Sequence, residues 1–241
     1  MRVYLYAIID SNDKIRKAIK GLEKASVYNI PYRDIGLIVS KLNGQVQDIS
    51  IDRAIEHEGV VETLMEDFTL LPVRFLTLFD KEEDLLSVIK GYYSDFIENL
   101  DRLRNKIEFG IKVIWPGNTI RERIMNNYPK DDYPASISGD SPGKDFIKAR
   151  FKRYKITKGF EDEAERCIAV IDNLFSLSVT EKRLERLKSE NLLLNAYYLV
   201  EKERQDDFRR SFEQLKSSFN DFKYLFSGPW PPYNFIIPKV I

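Results

Sequence analysis

The sequence has very little cysteine: Cys167 is the single one in 241 residues. One cysteine excludes a disulfide within the chain. Cys167 falls on the apolar side of a predicted helix, beside Ile168 and Ile171, where a thiol behaves as a small hydrophobic side chain. We therefore predict that Cys167 is a buried, unreactive thiol and not a nucleophile.

Histidine is equally scarce, because His57 is the only one. The stretch His57-Glu58-Gly59-Val60-Val61 begins like the zinc-binding pattern HExxH, but a valine stands where the second histidine ligand is required. A serine or cysteine nucleophile would have to use His57 as its base, and Cys167 is far from it in sequence. We predict no catalytic residue and no metal site, with His57 as a hydrogen-bonding side chain on a helix flank.

The chain also lacks an excess of either charge and a long apolar run. Lys plus Arg and Asp plus Glu both number 38, so no net field attracts nucleic acid or an anionic membrane. No apolar run reaches the 18 residues that indicate a membrane span, and the N-terminal run is too short for a signal peptide. We expect a cytoplasmic protein without nucleic-acid or membrane partners.

One segment imitates a phosphate-binding loop without meeting its requirements. Gly139-Asp140-Ser141-Pro142-Gly143-Lys144-Asp145 has three residues between its glycines instead of four, and Asp145 replaces the magnesium-binding Ser or Thr. The acidic groups around Asp131 and Glu161 lack calcium-loop spacing. We therefore predict no cofactor and no small-molecule substrate.

The stretch 51–79 is the centre of the predicted fold. Apolar residues at helical spacing predict a helix over 51–67, with one buried stripe made by Ile51, Ala54, Ile55, Val61, Leu64, Met65 and Phe68. A strand over 70–76 follows, with Pro72 near its start or on an edge. Glu58 and Arg74 both interrupt apolar patterns, and an unpaired buried charge is costly. We predict that Glu58 and Arg74 form a partly buried ion pair.

The first half of the chain reads as a βαββαβ unit. Strands are predicted at 3–9, 26–30, 34–40 and 70–76, with helices at 13–22, capped by Ser11 or Asn12, and at 51–67. A run of apolar residues spaced by three or four then predicts one long helix over 85–107, or two helices broken near Gly91. We assign residues 1–106 to an N-terminal α+β domain that ends in this long helix.

The second half repeats this order with an enlarged first helix. We predict strands at 108–115, 178–188, 192–200 and 221–227, a weak helix at 120–126, a long helix from Ser141-Pro142 to about Phe175, and a helix at 202–219. Residues 107–241 form the second predicted domain. The predicted fold class is α+β, with two ferredoxin-like (βαββαβ-order) domains, extra helices and a C-terminal tail rich in proline and aromatic residues.

The long helix of the second half carries a concentration of cations. Between 144 and 158 it has one acid, Asp145, against seven basic residues, including Lys148, Arg150, Lys152, Arg153 and Lys155. Two interpretations remain open: a solvated helix face with local charge pairs, or an electrostatic contact with an acidic partner surface. Under the second interpretation these five residues bind a partner.

The tail is stiff and aromatic. Three prolines within Ser227-Gly228-Pro229-Trp230-Pro231-Pro232-Tyr233-Asn234-Phe235 remove ladder donors, so this segment cannot extend a central strand. Its rings must pack on a neighbour. That neighbour is either the tail's own domain or a partner protein, which leaves Trp230, Tyr233 and Phe235 as possible partner-binding residues.

Several motifs resemble the gas vesicle protein GvpF/GvpL family. The tail resembles that family's Gly-Pro-Trp-Pro-Pro-Tyr-x-Phe ending, and Leu71-Pro72-Val73-Arg74-Phe75 after His57-Glu58 resembles its helix and strand. Leu193-Leu194-Asn195-Ala196-Tyr197-Tyr198-Leu199-Val200 is similar to its Asn-Ala-Ala-Tyr-Leu-Val strand, with Tyr197 in place of a small residue. The opening Tyr4-Leu5-Tyr6 and the 110–115 region also match, whereas 81–106 and 118–190 match in pattern only.

The resemblance implies a non-enzymatic accessory or minor structural protein of gas vesicle assembly. Such proteins bind the small hydrophobic shell protein and other gas vesicle accessory proteins. It does not decide between an F-type and an L-type member. The alternative class is a small-ligand-binding regulator or enzyme on a ferredoxin-like scaffold, because this type of fold hosts many functions.

Overall fold

The computed structural model describes residues 1–43, 50–127, 142–186 and 191–237. The first half contains β1 (Arg2–Ile9), β2 (Tyr28–Tyr32), β3 (Ile35–Leu42), α1 (Ile51–Met65), β4 (Leu70–Pro72), β5 (Leu78–Phe79), α2 (Glu82–Gly91) and α3 (Tyr93–Leu103). The second half contains β6 (Lys106–Ile114), α4 (Gly117–Asn127), α5 (Pro142–Phe175), β7 (Glu181–Glu185), β8 (Leu192–Glu201), α6 (Gln205–Ser218) and β9 (Lys223–Trp230). Short 3-10 turns lie at Leu22–Lys24, Lys202–Arg204 and Tyr233–Phe235.

The first sheet is built around β1. Its order is β2-β3-β1-β4, with β5 also paired to β1, and the pairs are antiparallel. Because β1 has neighbours on both edges and is buried on both faces, it reads as a continuous apolar run and not as an alternating one. The register between β1 and β3 shifts between Leu5 and Ala7.

The helix predicted over 13–22 is wrong, because the structure has no α-helix between β1 and β2. The Ser11 hydroxyl accepts from Asp13 N, and Asn29 Nδ2 donates to the Asp13 carbonyl at 2.7 Å. The Tyr6 hydroxyl accepts from Leu22 N at 2.9 Å. These side-chain bonds to the backbone compete with helical hydrogen bonds, so the segment stays irregular and the first half lacks one helix of the predicted order.

The helix α1 is present, but its buried stripe differs from the prediction. Ser50 caps it by accepting from Arg53 N, as N-cap serines do. Ile51 and Ile55 are 80% and 62% exposed, whereas His57, Val60, Val61 and Leu64 are buried. The core-facing part therefore begins one to two turns later than the apolar spacing predicts.

One other boundary differs from its prediction, and one open alternative is resolved. The strand predicted to reach residue 76 ends at Pro72, since the chain turns between Arg74 and Thr77 before β5. The helical run over 85–107 is two helices, α2 and α3, with Tyr92 between them. Of the two predicted alternatives, the structure therefore shows the two helices broken near Gly91.

The second sheet has the order β7-β8-β6-β9. If the four strands of each half are numbered in chain order, both sheets have the spatial order 2-3-1-4. The strand β9 is an edge strand and includes Pro229. An edge position tolerates a residue that lacks a backbone N–H.

Residue contacts divide the chain into two units. The first comprises 1–109, 198–203 and 227–241, and the second comprises 110–197 and 204–226. The sequence-based boundary after 106 lies close to the first division, but the tail groups with the first unit and not with the second half. The hydrogen bonds that hold the tail there are described below.

Each unit has its own apolar core. In the first unit, Tyr4, Tyr6 and Ile9 of β1 pack with Val61 and Leu64 of α1. In the second unit, the ring of Phe208 lies 4.9 Å from that of Phe175, and Phe212 lies 4.5 Å from Phe226. No helix in the described part of the chain is both long and apolar enough to cross a membrane.

Candidate functional site

The Glu58–Arg74 ion pair predicted from the sequence is not formed. Arg74 is exposed in the turn after β4, and within the described residues no ion pair joins it to Glu58. An exposed guanidinium is satisfied by water, so it needs no carboxylate partner. Glu58 lies instead near the tail, where the Tyr233 hydroxyl is close enough to affect the pKa of its carboxyl group.

The contact between Glu58 and Tyr233 is partly sealed from solvent. Glu58 Oε2 and the Tyr233 hydroxyl oxygen are both buried, and within ordinary hydrogen-bond distance neither has a partner in the described part of the chain. Burial raises the pKa of Glu58, and the Tyr233 hydroxyl opposes this shift. Burial also raises the pKa of Tyr233, and the neighbouring Glu58 charge adds to the effect. Two residues singled out separately in the sequence therefore meet in one place.

The tail is fixed further by hydrogen bonds to β6 and α3. Asn234 donates twice to the buried Glu108 carboxylate, from its backbone N at 2.8 Å and from Nδ2 at 2.6 Å. The Asn99 amide exchanges two hydrogen bonds with the backbone of Ile237, one of them from Ile237 N at 2.9 Å. Arg102 donates to the Phe235 carbonyl. We call these contacts the tail clasp.

Sequence reasoning missed Glu108 and Asn99, although each leaves a signal. Glu108 opens the apolar run Phe109–Trp115, and Asn99 sits within the apolar stripe of α3. They are only 3% exposed. Buried polar groups in such positions require partners, and the tail backbone provides them.

A glycine is required where the tail begins. Gly228 has φ of 107°, and a Cβ there would lie 2.6 Å from the Glu108 carbonyl oxygen. A side chain would be both strained and in collision at this position. The peptide bond between Gly228 and Pro229 is cis.

The tail rings differ in how much of their surface is exposed to a partner. Phe235 is 1% exposed and belongs to the core of the first unit, which for this ring favours the tail's own chain, one of the two neighbours that the sequence left open. Trp230 and Tyr233 are half-buried, and the prolines at 231 and 232 are buried. The tail is held by its own chain, because its backbone is hydrogen-bonded to Glu108, Asn99 and Arg102 and its Phe235 ring is buried.

His57 and Cys167 have surroundings that suit structural roles. The Tyr4 hydroxyl accepts from Leu76 N and donates to His57 Nδ1 at 2.9 Å. Burial lowers the pKa of His57 to about 4, so the ring is neutral near pH 7. Burial raises the pKa of Cys167 to about 11, which keeps the thiol protonated and poorly nucleophilic.

The five basic residues predicted to bind a partner lie along the first half of α5. Arg150, Lys152 and Arg153 are exposed. Lys148 lies 3.9 Å from Asp145, and the Lys155 ammonium lies 4.9 Å from the centre of the Phe151 ring. Three large apolar side chains are exposed in the same half of the helix: Phe146 at 67%, Ile147 at 48% and Tyr154 at 61%.

Exposed rings among cations are typical of a helix surface that contacts another molecule. Glu161, Asp162 and Glu165 of the acidic stretch that follows are also exposed. Glu163, which is half-buried, pairs with Arg123 and Arg166.

Comparison with known sequences places the chain in a named family. The sequence model described as "Gas vesicle synthesis protein GvpL/GvpF" matches residues 2–236. Gas vesicle protein F1 of Halobacterium salinarum is 23% identical over 240 residues, covering 97% of this chain and 92% of that protein. Gas vesicle protein F of Microcystis aeruginosa is 23% identical, covering 97% of each. Gas vesicle protein L1 of H. salinarum is 21% identical over 96% of this chain and 89% of its own length.

Comparison with solved structures identifies the same fold. The crystal structure of gas vesicle protein GvpF from Anabaena sp. PCC7120 superposes with a TM-score of 0.83 at 20% identity, covering 98% of both chains. That of GvpF from Microcystis aeruginosa gives 0.81, also at 20% identity and 98% coverage of both. The chain therefore has the mixed α+β fold, with two antiparallel sheets and helices, of these proteins.

Proposed function

The chain belongs to the GvpL/GvpF family of gas vesicle synthesis proteins, and from that premise we propose that it is a non-enzymatic accessory protein of gas vesicle assembly. In this role it binds the hydrophobic shell protein and other accessory proteins without chemical turnover. The observation that carries the proposal is the family match along residues 2–236. Relatives named gas vesicle protein F and gas vesicle protein L both align along most of the chain.

The surface of α5 supports a binding role. A protein that holds an apolar subunit before assembly needs a folded body, enough charge to remain dissolved, and exposed apolar groups at the contact. The body is provided by cores in both units, and 32% of the residues are charged. Phe146, Ile147 and Tyr154 provide exposed apolar groups on one helix. Lys148, Arg150, Lys152, Arg153 and Lys155 surround them with positive charge.

The proposal extends to location and fold. We place the protein in the cytoplasm and on gas vesicles, where its partners are other gas vesicle proteins and no cofactor is needed. We also assign both halves to modified ferredoxin-like arrangements. The shared strand order of the two sheets supports this assignment, although the first half has an irregular segment in place of its first helix.

A mixing experiment tests the proposed function. Purified protein is combined with the shell protein in the absence of nucleotide and metal, and complex formation is followed by size-exclusion chromatography with light scattering. We expect co-elution at low salt, because charged rims add to association when screening is weak. The accessory role fails if folded protein, verified by circular dichroism, binds no gas vesicle protein at any salt concentration.

A second experiment on the same purified protein distinguishes the accessory role from a small-ligand-binding regulator or enzyme. A thermal-shift screen of metabolites and divalent metals should leave the melting temperature unchanged, since a specific ligand raises it by mass action. A saturable rise with one small molecule would favour the regulator or enzyme class instead.

A further inference from the structure

The second unit contains a groove that the proposed function does not explain. It has a volume of about 710 Å³ and runs beside α5, between that helix, Arg121 of α4 and the start of β8. Its floor is apolar, made by Trp115, Ile156, Phe160, Ala164, Leu192 and Leu193. The Trp115 and Phe160 rings meet edge to face, with centres 5.6 Å apart. A groove of this size exceeds what one or two water molecules require.

The rim of the groove is basic. Arg121, Lys152, Arg153 and Arg186 line it, against the single acid Glu161. Arg186 also lies 3.8 Å from Glu165. Lys152 and Arg153 make no ion pair with any residue in the described part of the chain. An occupant with negative charge along its edges is therefore complementary to this rim.

One buried donor in the floor also lacks an acceptor. Trp115 is 4% exposed, and its Nε1 has no hydrogen-bond partner among the described residues. A buried N–H without an acceptor costs free energy that an oxygen atom of an occupant recovers. The floor thus favours an occupant that carries oxygen acceptors as well as apolar groups.

The length of the groove indicates a helix and not a small molecule. Its α5 residues begin at Ala149 and end at Ala164, which is a distance of about 22 Å at 1.5 Å per residue. They recur as Ala149, Arg153, Ile156, Phe160 and Ala164, the i, i+4, i+7 spacing of one helix face. Phe146 precedes Ala149 by three residues on that face and is 67% exposed. The apolar stripe therefore continues one turn beyond the groove as an uncovered ring.

We propose that this groove docks an acidic amphipathic helix of about four turns from a partner protein, with apolar side chains on the floor and carboxylates against the basic rim. The inference rests on the proposed function for its biological setting, because it names the partner class and the surface of an accessory protein. The partner helix has apolar residues at i, i+3 or i+4, and i+7. Its Glu or Asp residues flank that stripe.

The test uses a designed peptide as a probe. A dye-labelled helical peptide of about 16 residues has leucines along one face and glutamates beside them. A second peptide has the same composition, with its leucines spread around the helix. Fluorescence anisotropy with the full chain measures both affinities. We expect the first peptide to bind at least about 10-fold more tightly, because only its leucines reach the floor together.

Matched variants locate the binding. Lys152→Glu with Arg153→Glu reverses two groove cations, and Lys158→Glu with Arg166→Glu makes the same charge change at exposed positions of α5 outside the groove. We expect the groove pair to weaken binding about 10-fold and the control pair less than about 3-fold, since contact charges act more strongly than distant screened ones. Ala149→Trp, which fills the groove from an exposed position, should also weaken binding.

Three outcomes overturn the proposal. The first is equal affinity for the two peptides, and the second is equal weakening by the two charge pairs, which would indicate general attraction to a basic helix. The third is unchanged binding by a folded Ala149→Trp variant. These outcomes leave the accessory role standing, because that role is tested separately by mixing with the shell protein. Conversely, failure to bind any gas vesicle protein would remove the role while a groove-dependent peptide affinity persisted.

Discussion

Substitution of Asn234 tests whether the tail clasp stabilises the first unit. Asn234 places its backbone N at 2.8 Å and its Nδ2 at 2.6 Å from the two oxygens of Glu108, a carboxylate that is 3% exposed. Asn234→Ala removes the side-chain donor and leaves the backbone donor in place. A hydrogen bond to a charged group contributes about 1.5–3 kcal/mol. We expect a loss of about 2 kcal/mol in the free energy of unfolding.

Asn234→Asp is the sharper change, because it keeps the shape of the side chain and replaces the donor with a second carboxylate. The new carboxylate at the half-buried position 234 would lie against the buried Glu108 carboxylate. Both cannot remain ionised without a cost, of at most about 3–5 kcal/mol, the value for an uncompensated buried charge. The loss should shrink as the pH falls from about 7.5 to about 5, since one proton then lies between the two groups. Asn234→Ala should show no comparable recovery.

Trp230 lies close to the clasp and provides the assay. The chain has two tryptophans, so a Trp115→Phe background leaves Trp230 as the only one. Urea unfolding is followed by its fluorescence, with circular dichroism as the second probe, because two units need not unfold together. For a chain of this length a loss of 2 kcal/mol lowers the melting temperature by about 4–8 °C. The reasoning is wrong if Asn234→Asp is no worse than Asn234→Ala at pH 7.5, or if its loss does not depend on pH.

The remaining predictions concern single positions. Arg74→Ala should change the free energy of unfolding by less than about 0.5 kcal/mol in urea, because the side chain is exposed; a loss of several kcal/mol would restore the Glu58–Arg74 pair. Phe235→Ala should cost about 3–5 kcal/mol by the same measurement, since the ring is 1% exposed, and a loss below 1 kcal/mol would place the ring outside the core. Burial raises the pKa of Glu58 above its unfolded value, so its stabilising contribution is present at low pH and is lost as the pH rises through the raised pKa. Glu58→Gln should therefore compare more favourably with the unchanged protein at about pH 7 than at about pH 4, and identical pH profiles would contradict this. Cys167 should react with a thiol reagent only slowly in the folded protein, because its pKa is raised to about 11; rapid reaction at neutral pH would show an exposed thiolate.

The sequence predicts the regular elements of this fold well where local pattern and tertiary packing agree. β1 is a continuous apolar run and becomes the centre of the first sheet. α5 begins at Pro142 and extends to Phe175, as predicted. The failure at 13–22 has a different cause, because Tyr6 and Asn29 bind the backbone of that segment from neighbouring strands. Local spacing contains no information about such long-range hydrogen bonds.

The site was predicted less completely than the fold. The sequence pattern marks Glu58 as a charge among apolar residues and predicts Arg74 as its partner, because Arg74 also interrupts an apolar pattern. In the structure, the group that affects the Glu58 carboxyl is the Tyr233 hydroxyl, far along the chain. A pattern in one sequence identifies a residue that needs a partner, because burial of a polar group is costly. It does not identify the partner when several polar residues compete and distance along the chain is uninformative.

The positions of the tail contacts also give a structural reason for two of the family motifs. Gly228 fits only because it lacks a Cβ beside the Glu108 carbonyl, and Tyr233 meets Glu58 of the His-Glu helix. Both motifs therefore describe how the first unit holds the tail. The basic half of α5 lies instead within 118–190, where the resemblance is one of pattern only. Most groove residues lie there too, but Trp115 and Leu193 of the groove belong to regions that match the family. If the groove and the basic half of α5 bind the partner as proposed, partner specificity should change with substitutions on α5 and not with substitutions in the proline-rich tail.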